Sequence, residues 1–330
     1  MKVIQATTFS FDTFDHYVLN GGESFSVSRF GYEYLKQYVG ANQYQVVAPK
    51  NGRVVRFLTK MLGGEGRNLA LQVKCALAAN KVDLLYYPTD RHSWLLAILR
   101  KLRICRTPIL MVSHFTFNTH NVDSKFKKNI IRFERFLIYH CVDRLVFASE
   151  HIMQLAREDY PVPERHRKFV GWGADLNFFS KKDKPYYADE YFLAAGGVNR
   201  DYRTLIEAFR RLDDHLIISC NPATLAPYGP LPDNITVFDY RSKGEKASMI
   251  LRNLYQNCIA VLLPIERSNQ VPNGASVLVE SIACGKPLIV SDLNSNFVDI
   301  RKEGIGLTPR MHNVDDWVAW IKEMKTGRDY

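Results

Sequence analysis

Three glycine-marked junctions and one histidine carry the residue types that could do chemistry. In NGASVLVESIACGKPLIVSD, residues 273–292, a glycine-containing loop opens onto a helical pattern. Gly274, without a Cβ, lets the backbone approach a ligand closely. Asn273 stands before it, and the amides of Ala275, Ser276 and Val277 follow at the helix start. There backbone N–H groups have no intrahelical acceptor and suit a phosphate. Glu280 lies one to two turns further on, where a carboxylate can accept hydrogen bonds from ribose hydroxyls. An ordinary amphipathic helix with an exposed Glu fits the same pattern, and the residues alone leave both readings open.

The second junction is AAGGVNRDYRTLIEAF, residues 194–209. A strand runs into Gly196 and Gly197, then a short loop with Arg200, then a helix starting near Tyr202. A guanidinium at a strand-to-helix turn can clamp a diphosphate, and Asp201 is placed as the helix N-cap. A solvated loop arginine is the plain alternative. The third junction is NGGESFSVSRFGYEYL, residues 20–35, where Gly21 and Gly22 precede a helix after the first strand. This makes a cradle of backbone amides. The spacing is not GxGxxG, so a dinucleotide fingerprint is not supported. Finally, in VSHFTFNTH, residues 112–120, His114 directly follows a buried strand. It should sit at a carboxyl end, where it can donate to a sugar hydroxyl or phosphate and titrates near neutrality. A structural histidine is the alternative.

These residues need a scaffold of alternating strands and helices. Strand-like runs occur at 3–7, 45–48, 84–87, 109–113 and 144–148, and again at 191–195, 216–220, 235–238, 260–263 and 287–291. Helical stretches fall between them, at 24–39, 68–80, 93–102, 125–140, 202–212, 246–256, 275–284 and 314–325. Strand–helix alternation argues for parallel sheets covered on both faces. A chain of 330 residues exceeds one ordinary core. The expectation is an α/β protein of two Rossmann-like domains, residues 1–180 and 181–330, joined at the polar, proline-bearing stretch 181–188. Ligand then belongs in the cleft between domains, at the carboxyl ends of the strands.

Composition narrows the function. No stretch reaches the ~18 apolar residues a membrane span needs, and the N-terminus lacks the apolar core of a signal peptide. The six cysteines form no CxxC pair, so neither a zinc site nor a disulfide framework is expected, and reduced buried thiols favour the cytoplasm. The net charge of +10 is uneven. Residues 1–180 hold 25 Lys+Arg against 15 Asp+Glu, whereas residues 181–330 hold 19 against 19. That asymmetry suggests an anionic partner for the first half, with solubility as the plain alternative. Two segments there, RHSWLLAILRKLRICR (91–106) and KFKKNIIRFERF (125–136), combine basic and apolar residues as membrane-surface helices do. For the first, packing of its apolar side on a sheet is the stronger reading. No nucleic-acid-binding pattern accompanies the charge, no Asp-x-Asp occurs, and no carboxylate pair suggests a glycosidase.

Together the four segments, in this order, resemble the family-four retaining glycosyltransferases of the GT-B fold. NGASVLVESIACGKPLI resembles that family's G…LLEAMACGKPVI segment, AAGGVNRDYRTLIEAF its GR…KD…LIEAF segment, NGGESFSV its GGAE loop, and GWGADLNFFSKKD its NGVDLERF linker. The likeness covers nearly the whole chain, most weakly residues 40–110. It implies two parallel-sheet domains facing a central cleft, with the nucleotide-sugar donor held by the C-terminal one. Glu280 would hold the ribose and Arg200 the diphosphate, with Gly21, Gly22 and Gly197 lining the donor site and His114 orienting a sugar. It further implies transfer with retention to a glycan or lipid-linked acceptor, in polysaccharide or glycolipid assembly, without cofactor or metal and at most peripherally attached to the inner membrane face. Two departures stand out: Pro272 occupies the position eight before Glu280, where the family has a second Glu, and Gly197 stands where it often has Arg. They support two other readings, a non-catalytic GT-B partner subunit that binds nucleotide or glycan and a nucleotide-sugar epimerase.

Overall fold

The computed structural model describes residues 1–7, 31–47, 53, 57, 65–90, 93–113, 124–159, 167–182, 184–266, 274–292 and 298–327. They fall into two compact units, one ending at Gly171 and the other beginning at Trp172. Each is built on a six-stranded, wholly parallel sheet.

The first sheet comprises β1 (Val3–Thr7), β2 (Gln43–Val47), β3 (Leu84–Tyr87), β4 (Ile109–Ser113), β5 (Arg144–Phe147) and β6 (Arg167–Phe169), ordered β2-β1-β3-β4-β5-β6. Its helices are α1 (Tyr32–Val39), α2 (Glu65–Ala79), α3 (Trp94–Lys101), α4 (Lys125–Cys141) and α5 (Glu150–Asp159). Leu85, Ile109, Met111 and Phe147 point to one sheet face and join helix residues such as Leu96 and Ile138 in a single core.

The second sheet comprises β7 (Phe192–Ala195), β8 (Leu216–Ser219), β9 (Ile235–Val237), β10 (Val261–Leu263), β11 (Leu288–Val290) and β12 (Gly306–Leu307), ordered β12-β11-β10-β7-β8-β9. Its helices are α6 (Leu176–Phe179), α7 (Tyr202–Phe209), α8 (Ala247–Asn257), α9 (Ala275–Ala283) and α10 (Val314–Thr326). Successive strand residues serve opposite faces. Leu193, Ile217, Val261 and Leu288 enter one core, while Phe192, Leu216, Leu262 and Ile289 enter the other. Burial on both sides is why these strands read as unbroken apolar runs.

Several expectations change. The helix reaching Val39 begins at Tyr32, because Gly31 holds a left-handed φ of 74°. The stretch ending in LNFF contains a short helix, capped by Asp175 accepting from the Phe178 amide, and buries Phe178 and Phe179 in the second unit. Edge strands β6 and β12 are too short to show a period. In segment 91–106 the helix packs against its neighbours, as its stronger reading had it. Arg100 makes paired bonds to Asp143 (2.8 and 2.7 Å), and the helix packs against α4 with Leu96 and Ala97 buried. Among the described residues no helix is long and apolar enough to cross a membrane.

Candidate functional site

The order of the second sheet creates a topological switch. From β7 the chain moves outward through β8 to β9, and from β10 it moves the opposite way to β12. Helices α7 and α9, which follow neighbours β7 and β10, therefore pack on opposite faces of the sheet, and ligands of open parallel sheets bind at the carboxyl ends beside such a switch. The loop after β7 carries Gly196 to Asp201, and that after β10 carries Pro264 to Glu266. An antiparallel bridge between Arg200 and Ile265 joins them. Asp201 N donates to Pro264 O (2.8 Å) and Glu266 N to Asn199 O (3.0 Å). Ser291 Oγ, beyond β11, accepts from Ile265 N (3.0 Å). Backbone bonds thus fix where Arg200 emerges.

Arg200 is half-buried, with its Nε shielded from solvent, and desolvation pulls its pKa down. Its Nη1 donates to Val198 O (2.9 Å), but its buried Nε makes no hydrogen bond. No carboxylate among the described residues pairs with it. A guanidinium stays protonated at any ordinary pH, and a desolvated cation without a counter-ion is costly. Gly196 makes room for the guanidinium. Its φ is 93°, and a Cβ there would stand 3.1 Å from Arg200 Nη2. The Tyr202 hydroxyl donates to Gly196 O and holds this turn down. At Gly197 a Cβ would stand 3.1 Å from Thr224 Oγ1, so a larger residue would have to displace Thr224.

At the other loop, Gly274 is the N-cap of α9, with φ 72° and no side-chain cap. A Cβ there would lie 3.0 Å from Leu263 Cδ2, so the left-handed turn and the close approach both demand glycine. The first-turn amides of Ala275, Ser276 and Val277 have no intrahelical acceptors. With the positive end of the helix dipole they form a second anion-directed feature on the same sheet edge.

Glu280 is buried, not on an exposed helical face. Burial pushes its carboxyl up to about 7, against the opposing pull of a hydrogen bond from the Tyr255 hydroxyl. Tyr255, from α8, is itself fully buried, and both burial and the Glu280 charge raise its pKa. It also feels Arg200 electrostatically, which ties the glutamate and the guanidinium into one cluster. Sequence reasoning missed Tyr255, which in LRNLYQN has the spacing of any core aromatic.

Asp201 caps α7 as expected, accepting from Thr204 N (3.1 Å). Its other oxygen accepts from His312 Nδ1 (2.9 Å), and His312 Nε2 lies 3.4 Å from Glu266 Oε1. The ligand atoms of this trio lie within 4.8 Å of one another. This gives Glu266 a partner that sequence could not show. His114, Gly21, Gly22, Asn273 and Pro272 lie outside the described residues. In the first sheet, Ser113 Oγ donates to buried Asp90 Oδ2 (2.6 Å), joining the carboxyl ends of β3 and β4.

No protein-family model matches the chain, and no curated protein matches it in sequence. Its fold does have solved counterparts. HepE from Anabaena, in complex with UDP-glucose, superposes with a TM-score of 0.65 at 14% identity, over 99% of this chain and 91% of that one. The fold is GT-B. Sucrose-phosphate synthase from Thermosynechococcus elongatus gives a TM-score of 0.65 at 12% identity, covering 99% of this chain and 90% of that one. A UDP-N-acetylglucosamine 2-epimerase gives 0.56 at 12%, covering 100% and 88%. The GT-B fold therefore holds both transferases and an epimerase, and residues must decide the chemistry.

Proposed function

We propose that this GT-B protein is a glycosyltransferase drawing on a nucleoside diphosphate sugar held at the β7–β10 switch. The observation that carries the reading is Arg200, a half-buried guanidinium with a shielded, unbonded Nε and no carboxylate partner among the described residues, on the same sheet edge as the uncapped start of α9. A diphosphate supplies the missing charge to both. Glu280, ionised, accepts from the ribose hydroxyls. The presence of UDP-glucose in the HepE structure supports a donor of this class.

In the proposed reaction the bond between the anomeric carbon and the β-phosphate oxygen breaks, leaving negative charge on the departing nucleoside diphosphate. Arg200 and the amides of residues 275–277 neutralise it, a role that contributes several kcal/mol in a preorganised site. The acceptor hydroxyl forms the new bond on the same face of the sugar, and its proton leaves with the phosphate, so configuration is retained. The guanidinium and the helix terminus supply the positive charge that a metal ion would otherwise bring. His114, expected at the carboxyl end of β4, orients the transferred sugar or the acceptor, a glycan or lipid-linked hydroxyl.

A coupled assay for nucleoside diphosphate release, run over UDP-, GDP- and ADP-sugars with and without glycan and lipid-linked acceptors, tests this. Acceptor-dependent release supports transfer. Interconversion of the sugar without any acceptor would assign the site to an epimerase, and binding without either reaction to a partner subunit.

A further inference from the structure

The first unit carries a surface that the donor site does not use. Helix α4 runs from Lys125 to Cys141 and buries Arg135, Ile138 and Tyr139 on its inner side. Its outer side is mainly apolar, with Asn129 and His140 also exposed there. Phe126, Ile130, Phe133 and Phe136 are all exposed, Phe126 by 74% and Phe133 by 62%. At 100° per residue, 126, 130 and 133 fall within one narrow stripe, and 136 lies at its edge. The stripe extends about 15 Å along the helix. Scattered apolar residues on a surface need no explanation, but four large ones in a row on one helix do.

Charge selects what covers this face. Exposed Lys125 and Arg132 flank the stripe, with half-buried Lys128 beyond them. The only acid in the helix, Glu134, is half-buried. A second copy of the chain laid symmetrically on this face would bring those cations against their own counterparts. A neutral apolar partner would desolvate them without supplying any opposite charge. An anionic bilayer surface satisfies both halves of the pattern: phosphate groups meet the basic flank, and the headgroup–acyl boundary takes the phenylalanines. The excess of 25 Lys+Arg over 15 Asp+Glu in residues 1–180 has the same sign.

We propose that the outer face of α4, through Phe126, Ile130, Phe133 and Phe136 with Lys125, Lys128 and Arg132, docks the protein on an anionic lipid surface. The proposal stands independently of the donor chemistry. Vesicles of equal parts phosphatidylglycerol and phosphatidylcholine should sediment the full-length protein at low salt, and pure phosphatidylcholine vesicles should not. Salt should release it. Each cation removed should weaken partitioning about fivefold, so Lys125→Ser/Lys128→Ser/Arg132→Ser together should cost on the order of 100-fold. Phe126→Ser/Phe133→Ser should lose binding even at low salt, with an unchanged melting temperature because both side chains are exposed. As a second measurement that needs no destabilising change, the indole introduced by Phe133→Trp should be quenched by brominated lipid in the anionic vesicles. Wild-type protein left in the supernatant at low salt, wild-type binding by both multiple variants, or bound Phe133→Trp protein whose new indole stays unquenched would overturn the proposal. So would capture of a single-stranded polynucleotide instead of vesicles, or a dimer dispersed by Phe126→Ser.

Discussion

Replacing Tyr255 by Phe removes one hydroxyl from a fully buried ring and leaves its packing in place. That hydroxyl is the hydrogen bond holding Glu280 down against burial, and even with it the carboxyl sits near pH 7. A hydrogen bond to a charged group is worth ~1.5–3 kcal/mol, and one pK unit corresponds to ~1.4 kcal/mol. Its loss should therefore lift the Glu280 pKa by ~1–2 units. The ribose hydroxyls donate, so they select the ionised carboxylate. Nucleotide affinity should then rise with pH and level off above the folded pKa. In the wild type the midpoint falls at about 7. In Tyr255→Phe it should move to ~8–9, and at pH 7 the ionised share should fall from about half to ~1–10%. Affinity at pH 7 should drop ~5–50-fold and recover at high pH. Calorimetric titration of the bound nucleoside diphosphate across pH 6–9 reads both quantities. A variant whose pH profile overlays the wild type would refute the link from Tyr255 through Glu280 to the ribose.

Three further outcomes follow from the same site. Arg200→Met should abolish most nucleotide binding, by ~30–1000-fold for the loss of ~2–4 kcal/mol of charged hydrogen bonds, with little change in the melting temperature of the empty protein because the guanidinium is only half-buried; scanning calorimetry with and without nucleotide separates the two effects. The folded pKa of Glu280 exceeds its unfolded value of 4.5. Its stability contribution is therefore complete below about 4.5 and lost as pH rises through about 7, a change of about 3 kcal/mol. Glu280→Gln should flatten that dependence, giving a higher denaturation midpoint than the wild type at pH 8 but none of that advantage at pH 4.5. His114→Ala should lower kcat ~10²-fold with little change in nucleotide affinity, and equal kinetics would leave His114 a structural residue.

Much of the scaffold was legible because buried parallel strands leave unbroken apolar runs. Residues 84–87 and 109–113 show this in the first unit, and 191–195 and 260–263 in the second, each within a residue of the observed strand. Edge strands Arg167–Phe169 and Gly306–Leu307 left no such trace, since pairing on one side needs little apolar length. Arg200 and Gly274 were visible as residue types at strand-to-helix junctions. What sequence could not give was their state. Nothing in the spelling of VNRDY shows that Arg200 is half-buried without a counter-ion among the described residues. Nor does VLVESI show that Glu280 points inward, because Ser281 beside it and Ser276 one turn before it let the same face read as polar. Tyr255 and His312 were invisible for a different reason. Each meets its partner across tens of residues of chain, Tyr255 at Glu280 and His312 at Asp201, and no local pattern encodes such a pairing.

The claim that this site takes a nucleoside diphosphate through Arg200 and Glu280 is tested most directly by titrating the full chain with UDP, GDP, ADP and CDP at pH 8. The wild type, Arg200→Met and Glu280→Gln would be compared under the same conditions. At least one nucleotide should bind the wild type and stabilise it by about 2.7 kcal/mol at 100 times its dissociation constant. That nucleotide should lose ~10-fold or more in affinity in each variant. Failure of all four to bind the wild type, or binding of one with equal affinity to all three proteins, would contradict it.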